Sequence, residues 1–339
     1  MRAVILEEPG HLAATSAPHP GAPPPGAALV RVRRVGVCGT DFHAWHGRQP
    51  FFTFPRILGH ELGVEVVEIG EDVAAIAPGD RCAVEPYLNC GTCAACRRGR
   101  GNCCERLQVL GVHVDGGMRE LLHVPAAKLH PSRTLDLETL ALVETLSIGA
   151  HAVARARPAA SDLVLVVGAG PIGLSVATFA AGTGARVVVM DVSAARLEFC
   201  RRALPSVAVL EAPATDVGSA VAGALDGAAP TCVFDATGNR ESMARAITLA
   251  GHAAVVVYVG LFRGELAFSD PEFHKRELTL LGSRNALPDD FERVIAALES
   301  GRVDVRPWIT DRASIADVPS AFPGWTDPRN GVIKAMIEM

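Results

Sequence analysis

Two hydrophobic patterns divide this chain. Up to about residue 145 the apolar positions come in short β-branched runs, such as ALVRVRRVGV at 28–37 and LGVEVVEIG at 62–70, separated by proline and glycine turns. These runs predict strands and suit a β-barrel-like domain. The proline-rich HPGAPPPG at 19–26 leads straight into a strand and reads as a surface loop, not a domain boundary. From about 146 strands alternate with helical stretches: LVLVVG, ARVVVMD, CVFDATG, AAVVVYVG and LTLLGS, as the parallel sheet of an α/β domain requires. The valine-rich run AAVVVYVGLF suits a buried central strand and an edge available for pairing equally well. After Ser283, DDFERVIAALESG places Phe291, Val294, Ile295 and Leu298 on one face of a predicted helix. No internal repeat suggests a solenoid.

Composition narrows the function classes. A chain of 339 residues with 49% hydrophobic residues is long and apolar enough for two domains with sizeable cores. The formal net charge of −5 argues against a dominant attraction to nucleic acid or anionic membrane, which leaves small-molecule chemistry. MRAVILEEPGH at the start lacks the pattern of a secretory signal, and the longest apolar runs are too short and too broken by glycine to span a bilayer. The cysteine count of nine is odd and the spacing is clustered, which suits metal better than a disulfide framework; the expected location is the cytoplasm.

The cluster is CGTCAACRRGRGNCC, with Cys90, Cys93, Cys96 and Cys104 in one glycine-bearing stretch. Thiolates at such intervals converge on a tetrahedron, and four sulfurs leave no open position for substrate, so the expected zinc is structural. A redox pair or a loop that is merely cysteine-rich fits this register less well. Cys103 is a rival for the place given to Cys104. Cys82, Cys103, Cys200 and Cys232 remain and read as packed thiols.

A second, different ligand set is dispersed. Cys38 in VCGTDFH, His60 and Glu61 in ILGHELG and Glu144 in LVETLSIGAHA offer sulfur, imidazole and carboxylate, the mixture that a catalytic zinc takes while keeping one place for water or substrate oxygen. Taken singly, each has a structural explanation. VLVVGAGPIGLSVATFA changes the odds, because Gly168, Gly170 and Gly173 follow a strand-like run and open a helix, with Asp191 closing the next β-branched run. Gly168 permits a tight turn, Gly170 lets backbone approach a pyrophosphate, and Gly173 allows helix and strand to pack. Pro171 and Ile172 in that turn and Thr237 in CVFDATG complete the expected cofactor-binding set. Asp191 accepts from ribose hydroxyls and repels a 2′-phosphate, which favours NAD over NADP; Arg196 is the residue that softens this preference.

With these motifs in hand, the chain resembles the zinc-dependent medium-chain dehydrogenases, the superfamily of alcohol, polyol and threonine dehydrogenases. The resemblance spans nearly the whole chain and rests on CGTD at 38–41, GHE at 59–61, the cysteine lobe, ETLSIGAHA at 144–152 and the glycine turn with Asp191. It implies an α/β fold with a GroES-like β-barrel catalytic domain over residues 1–145, including a zinc lobe at 88–106. A Rossmann domain follows over 146–285, the tail at 286–339 returns to the catalytic domain, and zinc lies at the cleft between the domains. The spacing before Cys104 matches the family lobe, which favours it over Cys103.

The implied activity is hydride transfer between a secondary alcohol and NAD. Zinc on Cys38 and His60 polarises the substrate hydroxyl while Thr40 and His43 relay its proton, and Asp41 matches the acid that orients the zinc histidine. Either Glu61 or Glu144 serves as the carboxylate ligand. Glutamate at 144, where alcohol dehydrogenases carry cysteine, points to a polyol, sugar or sugar acid, although Thr145 stands where many relatives have proline. Trp45, His46, Arg48, Phe51, Phe52, His113, Asp115 and Arg119 are candidate pocket contacts, but aromatic residues of such a domain are more often core and arginines more often solvated. A simple alcohol or threonine as substrate is the nearest alternative. From other classes, Arg97, Arg98, Arg100 and Arg106 suggest a nucleic-acid module, and loss of turnover would give a cofactor-binding regulator. Net acidity argues against the first, and retention of the ligand set and Thr40 against the second. The family pattern implies a homodimer or homotetramer.

Overall fold

The computed structural model describes residues 1–49 and 51–339, and the chain forms two compact units, Met1–Thr145 with Ala286–Met339 and Leu146–Asn285. The discontinuous unit is built on a seven-stranded sheet. Its path runs Leu129–Pro131, Arg81–Val84, Glu61–Ile69, Ala27–Gly36, Lys334–Glu338 and Ile309–Ser314, with Leu121–Pro125 also paired to Ala27–Gly36. Register shifts between Leu29 and Val30 and between Val32 and Arg34 bend the long strand, as bulges do, and curl the sheet around a core that includes Val30, Val32, Val35, Val64, Leu122 and Ile337. Three pairings place the ligand-bearing segments. Gly36 lies opposite Glu61, Met336 lies on the other side of Gly36, and the chain continues from Gly36 directly to Cys38.

Trp45 does not stand free for a ligand. Its ring lies 5.4 Å from that of Phe322, which also meets Phe42 and Trp325, so this aromatic belongs to the core. Phe52 packs against the same core, whereas Phe51 is exposed and stacks on His113 at 6.1 Å.

The continuous unit is a six-stranded parallel sheet ordered Ala208–Glu211, Arg186–Asp191, Leu163–Val167, Cys232–Asp235, Val255–Tyr258 and Thr279–Gly282. The order reverses at Leu163–Val167, which makes the carboxyl end of that strand the switch point where a doubly wound sheet opens a crevice for a dinucleotide. Buried Leu165, Val188, Val233 and Val256 explain the valine-rich runs, since strands covered on both faces need apolar residues at successive positions. Val255–Tyr258 is an inner strand, and Thr279–Gly282 is at the edge. The strand Ala208–Glu211, absent from the sequence reading, forms the opposite edge and is only half buried. The helix over 289–301 begins one residue earlier, at Pro288, and buries Phe291, Val294, Ile295 and Leu298 as its periodicity requires.

Candidate metal centres and dinucleotide turn

In the cysteine lobe, Cys93 caps the short helix Ala94–Arg97 and its sulfur accepts the amide of Cys96 at 3.5 Å. Cys104 follows the helical turn Gly101–Cys103, and its sulfur accepts amides from Cys90 and Arg106, each at 3.3 Å. One sulfur from each of Cys90, Cys93, Cys96 and Cys104 lies within 4.8 Å of the others. Amide donors favour the thiolate. The Thr92 backbone and then the Arg106 side chain pull Cys90 down to about 5, and the Cys96 amide lowers Cys93, while burial pushes Cys96 up to about 11. Such a donor set fits a tetrahedral zinc with no open position. Cys103 is a correction to the sequence reading: it is exposed and outside this group, not packed. Cys82, Cys200 and Cys232 are buried; desolvation raises the first and last to about 12 and Cys200 to about 11, so they stay thiols.

The second centre gathers ligands from two segments. Cys38 precedes the helix Gly39–Trp45, and its amide donates to Asp41 Oδ2 at 2.9 Å. His60 directly precedes the strand that Glu61 begins opposite Gly36, where a Cβ would stand 2.3 Å from Glu61 Oε2; only glycine leaves room for the carboxylate. Ligand atoms of Cys38, His60 and Glu61 all lie within 4.8 Å of one another. Glu61 Oε2 and His60 Nδ1 are buried without a hydrogen-bond partner, as is Asp41 Oδ1, which lies 3.9 Å from His60 Nδ1 and is thus near the imidazole without bonding to it. Burial opposes a charge on His60, yet Cys38 and Asp41 outweigh it and hold its pKa well above 6.5. The positive charge that this surround draws onto His60 is one that a divalent cation supplies instead, and the orphaned Glu61 Oε2 is an acceptor that metal would satisfy, so the residues fit such an ion.

Glu144 lies outside that group of three. Its carboxylate accepts the hydroxyl of buried Tyr87, and burial raises its pKa although His60 and Tyr87 work against that rise. Two residues of the centre went unseen in the sequence. Tyr87 is one, and Lys334 is the other: fully buried, it donates to Glu61 Oε1 and, at 3.1 Å, to the Val37 carbonyl. Thr40 and His43 share the helix after Cys38 and, three apart, face the same way. His43 reaches the surface with its base half buried; that burial, then Arg48 and His46, hold its pKa below 6.5. Asp115 is occupied by Arg56 and the Ile57 amide, and Arg119 donates to the Asp115 carbonyl, so both hold their own loop.

In the parallel unit the strand Leu163–Val167 ends in Gly168, and Gly170 caps the helix Pro171–Ala181, with Pro171 and Ile172 in its first turn. A Cβ on Gly173 would stand 1.7 Å from the Gly168 carbonyl, so helix and turn meet only because residue 173 is glycine. At Gly170 the nearest atom to such a Cβ is Arg196 Nη1 at 3.9 Å, which leaves the backbone open to a phosphate while placing a guanidinium beside it. Thr237 flanks Gly168 and donates to Asp235. Asp191 does more than the motif requires: its two oxygens accept the amides of Ala169 at 2.6 Å and Ser193 at 2.8 Å, which ties the glycine turn to the next loop. Each oxygen retains a second lone pair for a ribose hydroxyl. Among the described residues no helix is long and apolar enough to cross a membrane.

Comparison with known proteins agrees with this layout. Residues 24–134 match the family model of the alcohol dehydrogenase GroES-like domain, and residues 171–300 match that of zinc-binding dehydrogenases. The L-galactonate-5-dehydrogenase of Escherichia coli K12 is 43% identical over 339 residues, covering 99% of this chain and 98% of that protein. The structure of the rspB alcohol dehydrogenase of E. coli CFT073 with NADH superimposes with a TM-score of 0.92 at 30% identity, covering 100% of this chain and 99% of that one. A zinc-binding dehydrogenase of Sinorhizobium meliloti 1021 bound to NADP gives 0.89, also at 30% identity and over 100% and 99% of the two chains.

Proposed function

The chain belongs to the zinc-dependent medium-chain dehydrogenases, and from that membership we propose that it oxidises a secondary hydroxyl of a sugar acid of the L-galactonate type with NAD as hydride acceptor. The observation that carries the reading is the convergence of Cys38, His60 and Glu61 with a buried carboxylate oxygen left over. The full-length likeness to an L-galactonate-5-dehydrogenase supports the substrate class, and Asp191 supports NAD. When bound, zinc supplies Lewis acidity toward a hydroxyl oxygen and the nicotinamide supplies the hydride acceptor.

The chain's own residues do the rest. Cys38, His60 and Glu61 hold the catalytic ion, with Glu144 kept nearby by Tyr87 as a carboxylate that can take a place beside them. Cys90, Cys93, Cys96 and Cys104 hold the structural ion. Thr40 takes the hydroxyl proton and His43 passes it outward. Gly168, Gly170, Pro171, Ile172 and Gly173 receive the pyrophosphate, and Thr237 lines the same turn; Asp191 takes the ribose and Arg196 stands by the phosphates. A homodimer or homotetramer formed through the edge strand Thr279–Gly282 and a reducing, cytoplasmic setting for nine cysteines outside any disulfide complete the proposal.

NADH formation across aldonates, pentitols, simple alcohols and threonine tests the substrate class. Catalytic efficiency for L-galactonate is expected to exceed that for ethanol by about 10³-fold or more, since polar groups built to meet hydroxyls discriminate strongly; a preference for simple alcohols refutes it. A pH profile tests the relay. With its pKa held below 6.5, His43 stays neutral at pH 7 and accepts protons there, so the acid limb of kcat/KM that it governs falls below pH 6.5 and disappears in His43→Gln. An identical acid limb in that variant removes His43 from the relay.

A further inference from the structure

We propose that Lys334 is a positioning residue of the metal centre, whose ammonium competes with the metal for Glu61 and keeps that carboxylate a detachable ligand. The proposal rests on the reading that Cys38, His60 and Glu61 hold zinc. Lys334 is 2% exposed, and its Nζ contacts Glu61 Oε1 and the carbonyl of Val37, the residue before Cys38. One cation therefore grips both segments that carry ligands. A buried ammonium persists only when paired, and here its partner is a group the metal also needs. Glu61 divides between them: Oε1 is taken by Lys334, while Oε2 is buried without a partner.

The sign of one measurement separates this role from that of a structural ion pair. A cation close to a divalent ion repels it, and a carboxylate shared with a cation donates less to a metal. Removing Lys334 therefore strengthens the hold of Glu61 on zinc, whereas removing a merely structural brace loosens the site.

The experiment loads wild type, Lys334→Met and Lys334→Arg with zinc, challenges each holoenzyme with a chelator, and follows release with a colorimetric indicator. Cys38→Ser identifies which release phase belongs to this centre. That phase is expected to slow by about tenfold or more in Lys334→Met and to return toward the wild-type rate in Lys334→Arg, in line with effects of groups just outside a ligand shell. Unchanged or faster release in Lys334→Met, or the same slowing in Lys334→Arg, overturns the proposal. If Lys334→Met does not fold, Lys334→Gln, which keeps N–H donors and removes the charge, carries the same prediction. Retention of two zinc ions by Cys38→Ser would instead overturn the zinc reading on which the proposal stands.

Discussion

Cys38→Ser is expected to lose one of two zinc ions per chain and to lower turnover by about 10⁴-fold or more, which corresponds to about 5.5 kcal/mol of transition-state stabilisation. Serine keeps the shape but not the soft, readily ionised sulfur, and the remaining His60 and Glu61 are too few to keep the ion. The change leaves the dinucleotide turn alone, because Gly168, Gly170 and Asp191 belong to the compact unit Leu146–Asn285. NADH affinity is therefore expected to stay within about threefold of wild type, since no bond made to the cofactor is altered. Elemental analysis, initial rates and NADH fluorescence titration check the three statements together. Turnover within tenfold of wild type removes Cys38 from the reaction.

The second large effect is structural. Cys104→Ser is expected to remove the other zinc and to lower Tm by about 5–10 °C or more, because structural zinc in small peptides contributes about 10–16 kcal/mol of folding free energy and only part of that is local to the lobe here. The lobe has little else to hold it: its apolar cluster is Cys93, Ala95 and Cys104, with Cys90, Cys96 and Leu107 packed alongside, so most of its core is the ligand set itself. Cys103→Ser is the matched control, exposed and outside the ligand group, and is expected to change neither zinc content nor Tm. Metal analysis and differential scanning calorimetry decide it. A Cys104→Ser protein that keeps both ions contradicts the ligand assignment.

What the sequence discloses depends on distance along the chain. The lobe cysteines can be picked out because they crowd into one loop, and the glycine turn because Gly168, Gly170 and Gly173 stand close together between a strand-like run and a helical one. Strands buried on both faces are legible as valine runs. The strand Ala208–Glu211 is not, since its apolar run, VAVL at 207–210, is short, and the strand lies at an edge and is half exposed. Lys334 and Tyr87 were hidden for another reason. Their partners lie 273 and 57 positions away, and a lone lysine or tyrosine carries no local sign that its charge or hydroxyl is to be buried against a carboxylate. Trp45 shows the converse, an aromatic beside candidate ligands whose ring turns out to be committed to Phe322. The place of Asp191 after a β-branched run suggests a ribose acceptor, but its grip on the Ala169 amide follows only from how the two strands are placed side by side.

The strand Lys334–Glu338 lies against Ala27–Gly36, although nearly the whole chain separates them in sequence. During synthesis at about 5–20 residues per second, Gly36 waits on the order of 15–60 s for its neighbour Met336 to emerge. In that interval the parallel sheet, which is continuous in sequence, has all its strands and can close, while the Arg34–Gly36 end of one strand edge, beyond the stretch that Leu121–Pro125 covers, is unpaired and Glu61 has no lysine. The nascent chain thus passes through a stage at which Cys38, His60 and Glu61 already exist without the cation that restrains their carboxylate. Metal arriving then would meet a different, more anionic site from the one in the finished protein, so the timing of zinc delivery relative to the final strand is itself a variable in the assembly of this enzyme.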